Sequence, residues 1–554
     1  MIKSQSPVKK KSSQSIKKLL QRKWLNVILA LILTGLGAAL TGILFKTGIH
    51  ALEDYRSNLL AYIHRWIVLP ILGALGGLIS GSLIQNFAPA AKGAGVSHII
   101  AFLRHKPVPM GLRVGIVKLF AGIIAIGSGF PLGPEGPAVQ MGGSVAWKMA
   151  KWLKAPISFR RVIVAAGGGA GIAAIFSAPI GGFVYAIEEL LNSARPVVLL
   201  LVVVTTFWAD SCADILQAIG LDQKAGGFIN NLGFQLERAY TPVIEFFPID
   251  FLYLIVLGIL LGFLAEMYCK YVLKMQVLGN KWFKNKTIQR MSLSGLLLGS
   301  IYSTIPESLH NIEGLQKIIV NESSSFTLAI SIFLVLFFAS GLAAASGAPG
   351  GLFYPMLTLG GAIGLASGIG VETLTGHVPT TYIFAGMGGF VAGCSRTPLT
   401  AMFLAFALTK NLLILKPLLI TCIASFLTAR IFNEHSIYER QIKIDCDVIQ
   451  ADGGTRTAAI SGGFVALLLA IEKFKINFNI KKPIIKNFLA AISVGIIDNK
   501  PLLDLNYEED SAAQVDANFV IADNNKLYEI QVTGEEFYFD EDQYLQMYSL
   551  AKIG

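Results

Sequence analysis

The sequence predicts an all-helical polytopic membrane protein built from two repeated halves with interrupted helices, ending in a short soluble α+β segment. Three observations carry that prediction. The 554 residues are 53% apolar and 15% charged, with a mean hydropathy of +0.60, whereas soluble globular chains carry about a quarter charged residues. Apolar segments recur from residue 24 to about 432, many of them short or broken by Gly and Pro. Blocks of the first half then return in the second at a fixed offset.

Residues 1–23 form a basic segment, with Lys3, Lys9, Lys10, Lys11, Lys17, Lys18, Arg22 and Lys23 and no acidic residue. It is expected to be a solvated cytoplasmic tail, by the excess of Lys and Arg that cytoplasmic flanks carry. The apolar run from Trp24 to Phe45 follows directly. It is long enough to span a hydrocarbon core of about 30 Å, and too long for the apolar region of a signal peptide, so a retained first helix is expected. Much of the net charge of +11 comes from the tail and says little about a substrate. Cys212, Cys269, Cys394, Cys422 and Cys446 show no paired metal-ligand spacing and read as core or membrane residues.

Polar connections are expected near 46–61, 85–110, 219–249 and 304–325. The third separates a first membrane half, 24–218, from a second, 250–440. GSGFPLGPEGPAVQMGG at 127–143 lies 218 positions before ASGAPGGLFYPMLTLGG at 345–361. Ser128, Gly129, Pro131, Gly133, Pro137, Gly142 and Gly143 match Ser346, Gly347, Pro349, Gly351, Pro355, Gly360 and Gly361. A second block from Ala166 is answered from Ala385, with equal spacing between Gly167 and Pro179 and between Gly386 and Pro398. Two blocks agreeing on nearly one offset identify an internal repeat. Repeated halves with Gly/Pro-interrupted helices place a transport site near the midplane, where half-helix N-termini converge.

An anion entering hydrocarbon must exchange its hydration shell for donors weak enough to release it. Backbone N–H groups and the partial positive charge of a helix N-terminus supply them. Three helix starts have the glycine and proline that this requires: Gly93-Ala94-Gly95, Gly133-Pro134-Glu135-Gly136-Pro137 and Gly347-Ala348-Pro349-Gly350-Gly351. In the middle one, Glu135 is a carboxylate in apolar surroundings, costly unless stabilised or protonated. It can occupy the anion site as a tethered competitor and leave when protonated, acting as gate and proton acceptor together. The alternative for Glu135 is a simple cap, for which Ser, Thr or Asp just before the helix is the commoner choice.

GPEGP at 133–137, SGAPGGLFYP at 346–355 and SIYE at 436–439 resemble three signature motifs of the CLC chloride channel and transporter family, in the family's order. The resemblance covers roughly 24–439 and implies a CLC-type inverted repeat, chloride as substrate, no cofactor, and a homodimer with one pathway per subunit. By it, Glu135 is similar to the gating glutamate, Leu352 and Phe353 offer backbone N–H groups, Tyr438 offers its hydroxyl to the central anion, and Lys118 raises the local positive potential. The counterpart of the family's first motif is not GSGFP at 127–131, which abuts the gate, but GAGVS at 93–97, placing Ala94 and Gly95 at the anion. Ala94 stands where the family has serine, and Ser97 where it has proline. Losing that hydroxyl removes a neutral donor worth about 1 kcal/mol net, leaving nitrate or another small anion open beside chloride.

Glu188 and Glu189 close the apolar segment after Pro179, and the position equivalent to Glu188 in the second half is Ala407. Glu189 resembles the internal proton-transfer glutamate of the family's exchangers, so anion/proton antiport is expected over a passive channel. A pair of surface carboxylates at a helix end is the alternative for both residues. The resemblance also implies a bacterial inner membrane with the N-terminus in the cytoplasm.

Near residue 440 the composition changes to strand-like alternation such as FVIADNNKLYEIQV, with a turn at Asp498-Asn499-Lys500 and an acidic stretch from Glu508 to Asp542. The stretch Ala458 to Ile471 reads as an amphipathic or buried helix, short for a span. IDCDVIQADGGTRTAAISGGFVAL at 444–467 and DLNYEEDSAAQVDANFVIAD at 504–523 resemble the second half of ribonuclease PH, a phosphate-dependent exonuclease that trims tRNA 3′ ends. That resemblance implies phosphate binding by Thr455 and Arg456, a divalent cation or acid catalysis at Asp510 and Asp516, and RNA as partner. It covers half of that enzyme, so segment 441–554 is expected to be an inactive fragment with unpaired strand edges and exposed apolar faces. A membrane-tethered nuclease is the alternative from another functional class.

Overall fold

In hydrocarbon a backbone amide finds no water, so an apolar run closes its hydrogen bonds within itself as a helix. The computed structural model describes residues 7–104, 106–192, 195–221, 244, 246–284, 286–304, 325–376, 380–409, 411–432, 446, 452–478, 485–534 and 538–554. The chain divides into two units, Met1–His435 and Ser436–Gly554.

The first unit is helical throughout its described elements. In chain order these are α1 Pro7–Tyr62, α2 Arg65–Phe87, α3 Val96–Leu103, α4 Leu112–Gly127, α5 Glu135–Trp152, α6 Ile157–Phe176, α7 Pro179–Tyr185 with a π-helical turn Ala186–Leu191, and α8 Pro196–Leu216. The second half continues with α9 Asp250–Phe283, α10 Thr287–Ser303, α11 Phe326–Ser346, α12 Phe353–Thr375, α13 Thr380–Ser395, α14 Pro398–Thr409 and α15 Leu415–Phe432. Among the described residues nine helices are long and apolar enough to cross a membrane, eight of them in this unit. The protein is an integral membrane protein.

Two expected connections differ. The stretch 46–61 is helical, because it contains no proline and α1 runs unbroken to Tyr62. The stretch 85–110 holds the eight-residue α3, started by Gly95 at φ 95°, a left-handed backbone that glycine reaches without a Cβ clash. The backbone of the basic segment is helical from Pro7, where a solvated tail was expected; Lys, Gln, Leu and Arg are good helix formers. Segments 222–243 and 305–324, within two further connections, lie outside the described residues.

The repeat reappears as packing. A Cβ added to Gly142 of α5 would strike the Gly167 carbonyl of α6, and one added to Gly360 of α12 would strike the Gly386 carbonyl of α13. Each half therefore brings equivalent helices together, α5 on α6 and α12 on α13, on matching glycines at backbone contact distance.

In the second unit α16 Thr455–Phe478 precedes β1 Leu489–Ile497, β2 Lys500–Leu503, α17 Tyr507–Ala512, β3 Val515–Ala522, β4 Leu527–Gly534 and α18 Glu541–Ile553. The strands form an antiparallel sheet in the order β2-β1-β3-β4. Asp498 and Asn499, both at positive φ, make the tight β1–β2 turn read from the sequence. Val494, Ile496, Val515, Ala517 and Phe519 pack on Met547 and Ala551 of α18. On α16, Ser461 exchanges bonds with Ala491 of β1, while Val465 and Leu469 are exposed. β4 leaves Leu527, Tyr528 and Ile530 exposed, the apolar faces expected of a half-domain.

Candidate functional site

The first turn of any α-helix carries N–H groups with no carbonyl ahead of them. The repeat aims two such turns at each other. Gly133, two residues before α5, donates to the Gly351 carbonyl at 2.8 Å, and Gly351, two residues before α12, donates back to Gly133 at 2.7 Å. These glycines are equivalents across the repeat offset, so the pairing is reciprocal in the way an internal two-fold axis demands. A Cβ on either would collide with the Glu135 carboxylate, which explains why this contact is built from glycine.

Glu135 opens α5 and is 6% exposed. Its Oε1 accepts from the Phe353 N–H at 2.7 Å and the Tyr354 N–H at 3.4 Å, at the start of α12. The carboxylate thus sits on the positive end of a helix dipole, where an anion is stabilised by about 0.3–2 kcal/mol before counting hydrogen bonds. Phe353 is the repeat equivalent of Glu135, so the acid of one half rests on the matching backbone amide of the other. The Glu135 Oε2 is buried with no hydrogen-bond partner.

Beside it lies a cavity of about 170 Å³ lined by Glu135, Ala94, Val96, Tyr185, Glu189, Leu352 and Phe353 among others. Glu135 and Glu189 share this one cavity. Ala94 forms part of its wall without a hydroxyl, and Gly95 abuts Gln140 of α5. Gln140 donates to the Ala90 carbonyl at 3.1 Å and leaves its Oε1 unpaired. Lys118, expected to act on the anion by charge, is fully buried on α4 and donates to the carbonyls of Ala91, at 2.9 Å, and of Gly93. It therefore pins the Gly93-Ala94-Gly95 loop through two of its three N–H donors.

The two adjacent acids have separate places. Glu188 accepts from the Thr400 N–H and the Thr400 hydroxyl, both at 2.7 Å, and from Leu399, capping the short α14 of the other half. Glu189 faces the cavity from the π-helical turn, a distortion common at functional positions because it turns one extra residue inward. Tyr438 lies outside the described residues. The sequence reading missed Gln140, Tyr185 and Arg290. Arg290 is a buried arginine bonded to the Ala345 carbonyl and, at 2.5 Å, to Asn280 Oδ1. A lone arginine in the apolar α10 sequence was the available signal for it.

In the second unit the Arg456 guanidinium pairs with Glu529 at 2.5 Å, and the Thr455 hydroxyl donates to the Asp452 carbonyl at 2.6 Å. Both partners of that ion pair are exposed, so it is weak and an incoming anion could compete for the guanidinium. Asp510 lies on α17, Asp516 on β3, and among the described residues no cluster of three His, Cys, Asp or Glu could hold a metal.

Comparison with known proteins identifies the membrane unit. The model of the voltage gated chloride channel family matches residues 76–430. The chain belongs to that family. Within the CLC family, it is 28% identical over 456 residues to the H(+)/Cl(-) exchange transporter ClcA of Salmonella paratyphi B, covering 78% of this chain and 92% of the relative. The ClcA of Salmonella newport matches to the same extent. Among solved structures, a slow cyanobacterial Cl-/H+ antiporter is 27% identical with a TM-score of 0.66, over 74% of this chain and 95% of the other. A CLC-type fluoride/proton antiporter, 17% identical with a TM-score of 0.61 over 73% and 95%, shares the CLC fold. Residues 487–554 match the 3′ exoribonuclease family, domain 2, the resemblance read in the tail.

Proposed function

We propose that the membrane unit is a chloride/proton antiporter in which Glu135 is both gate and proton carrier. The observation that carries this reading is the Glu135 carboxylate seated on the Phe353 and Tyr354 amides, in the same cavity as Glu189. A dehydrated chloride needs those same amides, so acid and halide exclude one another. Protonation removes the negative charge that binds the carboxylate to the helix N-terminus. The side chain then swings out, the halide takes its place, and the proton leaves with the acid on the opposite side.

Glu189 supplies the second proton station, reaching Glu135 through the cavity between them. Lys118 positions the Ala94 loop, and the backbone of Leu352 and Phe353 completes the anion's surroundings. The names of the ClcA relatives and of the cyanobacterial antiporter support exchange over passive conduction, as does Glu189. We place the protein in a bacterial inner membrane with a cytoplasmic N-terminus, as a homodimer with one pathway per subunit. No catalytic role is proposed for the second unit, where only domain 2 of the exoribonuclease family is matched, over residues 487–554.

Purified protein in liposomes, loaded with chloride, nitrate or fluoride while external pH is recorded, tests this directly. Chloride efflux accompanied by proton influx is the expected result. Anion flux with no proton movement would overturn the exchanger reading and leave a channel.

A further inference from the structure

The cavity holding Glu135 and Glu189 is an anion site with an unusual inventory of donors. Ala94, on its wall, brings none. Three of its hydroxyls are already committed. Ser395 donates to the Val391 carbonyl at 2.8 Å and pairs with Thr397 at 2.7 Å, and the Thr400 hydroxyl is held by Glu188 at 2.7 Å. Tyr185 is different. It lines the same cavity from the last residue of α7, and among the described residues its hydroxyl makes no hydrogen bond.

Tyr185 is half-buried and lines the cavity, so the natural partner for its O–H is whatever polar species enters that cavity. Glu189 and Glu135, both able to accept a hydrogen bond, line the same cavity. When Glu135 swings away and a halide enters, the halide becomes the acceptor nearest the vacated amides. We propose that the Tyr185 hydroxyl donates to the transported anion inside this cavity, supplying the side-chain O–H that Ala94 does not, and so sets its preference for a small halide. The inference rests on the antiporter reading of the cavity and adds a specificity-determining residue to it.

A neutral hydroxyl suits the task because a hydrogen bond to a charged partner is stronger than a neutral one, yet weak enough to break each cycle. A compact halide concentrates its charge and gains more from one O–H than a large anion does, so losing that donor flattens selectivity.

The test uses the full chain, with chloride binding measured by calorimetry in detergent and coupled flux in liposomes. Tyr185→Phe is expected to weaken chloride binding by about five- to tenfold and to narrow the preference for chloride over iodide. Its proton-to-anion ratio at saturating chloride should stay at the wild-type value. Adding Ala94→Ser to that variant is expected to recover most of the affinity, which a packing role for the ring would not produce. Should Tyr185→Phe fail to fold, 3-fluorotyrosine at 185, a stronger donor of nearly the same shape, is expected to tighten chloride binding.

Unchanged chloride affinity and selectivity in Tyr185→Phe, or in the fluorotyrosine protein, overturns the proposal. So does a loss of proton coupling with affinity intact, which would make the hydroxyl a proton carrier. A wild-type protein that binds no halide sinks the antiporter reading itself, a result distinct from either.

Discussion

The two membrane halves use one backbone device with two different side chains. Each starts a long helix two residues after a glycine, and those glycines bond to each other. At the equivalent first positions stand Glu135 and Phe353, and the acid's carboxylate accepts from the phenylalanine's N–H. Symmetry thus builds a pair of facing helix starts, and a single acid breaks it by giving one half a carboxylate and the other the amides that receive it. The same lesson recurs at the short helices. Glu188 of the first half caps α14 of the second, where the equivalent Ala407 can cap nothing.

Removing Glu189 separates the two transport functions most strongly. Glu189→Gln keeps the cavity's shape but cannot carry a proton. Proton flux in liposomes should fall by about a hundredfold or more, with anion flux persisting; retained coupling would assign the internal proton step elsewhere. Filling the symmetric glycine contact comes next. Gly351→Ala puts a methyl where the carboxylate lies, so anion flux near neutral pH should rise and respond less to acid. Flux that is silent at neutral pH and still switched on by acid would show that the carboxylate docks elsewhere.

Lys118→Met probes the part of the site only one half owns. It strips the Ala91 and Gly93 carbonyls of their buried donor, a loss of about 2–4 kcal/mol for two unpaired acceptors. Thermal unfolding in detergent should report it, together with weaker anion binding. Unchanged stability would mean the loop holds itself. Thr400→Ala is expected to cost about 1 kcal/mol with proton coupling intact, since Glu188 caps α14 outside the proton path. Loss of coupling in that variant would move Glu188 into the path.

The repeat, the helix starts and the buried Glu135 were legible because glycine and proline leave rigid local signatures and because a lone carboxylate in an apolar run has few structural uses. Neither the span of α1 nor the helical α3 showed as clearly, since polar residues at 46–61 are compatible with both helix and loop, and the apolar stretch 96–103 is only eight residues long. The role of Lys118 was half legible. Its burial follows from position on α4, but that it bonds to the Ala91 and Gly93 carbonyls depends on a loop folding back from 25 residues upstream. Tyr185 carried no signal at all, because an aromatic residue before an acid pair reads as core until the cavity around it is seen. In the second unit the alternation at 519–532 announced β3 and β4, whereas the Arg456–Glu529 pair joins residues 73 apart and no local pattern announces it.

The account stands on the carboxylate of Glu135 occupying the place of the transported halide. Glu135→Ala, reconstituted in liposomes with chloride and pH followed together, measures that most directly. Chloride flux that continues without proton movement and no longer responds to acid is the predicted result. Proton-coupled, acid-sensitive flux indistinguishable from the unmodified protein would contradict it.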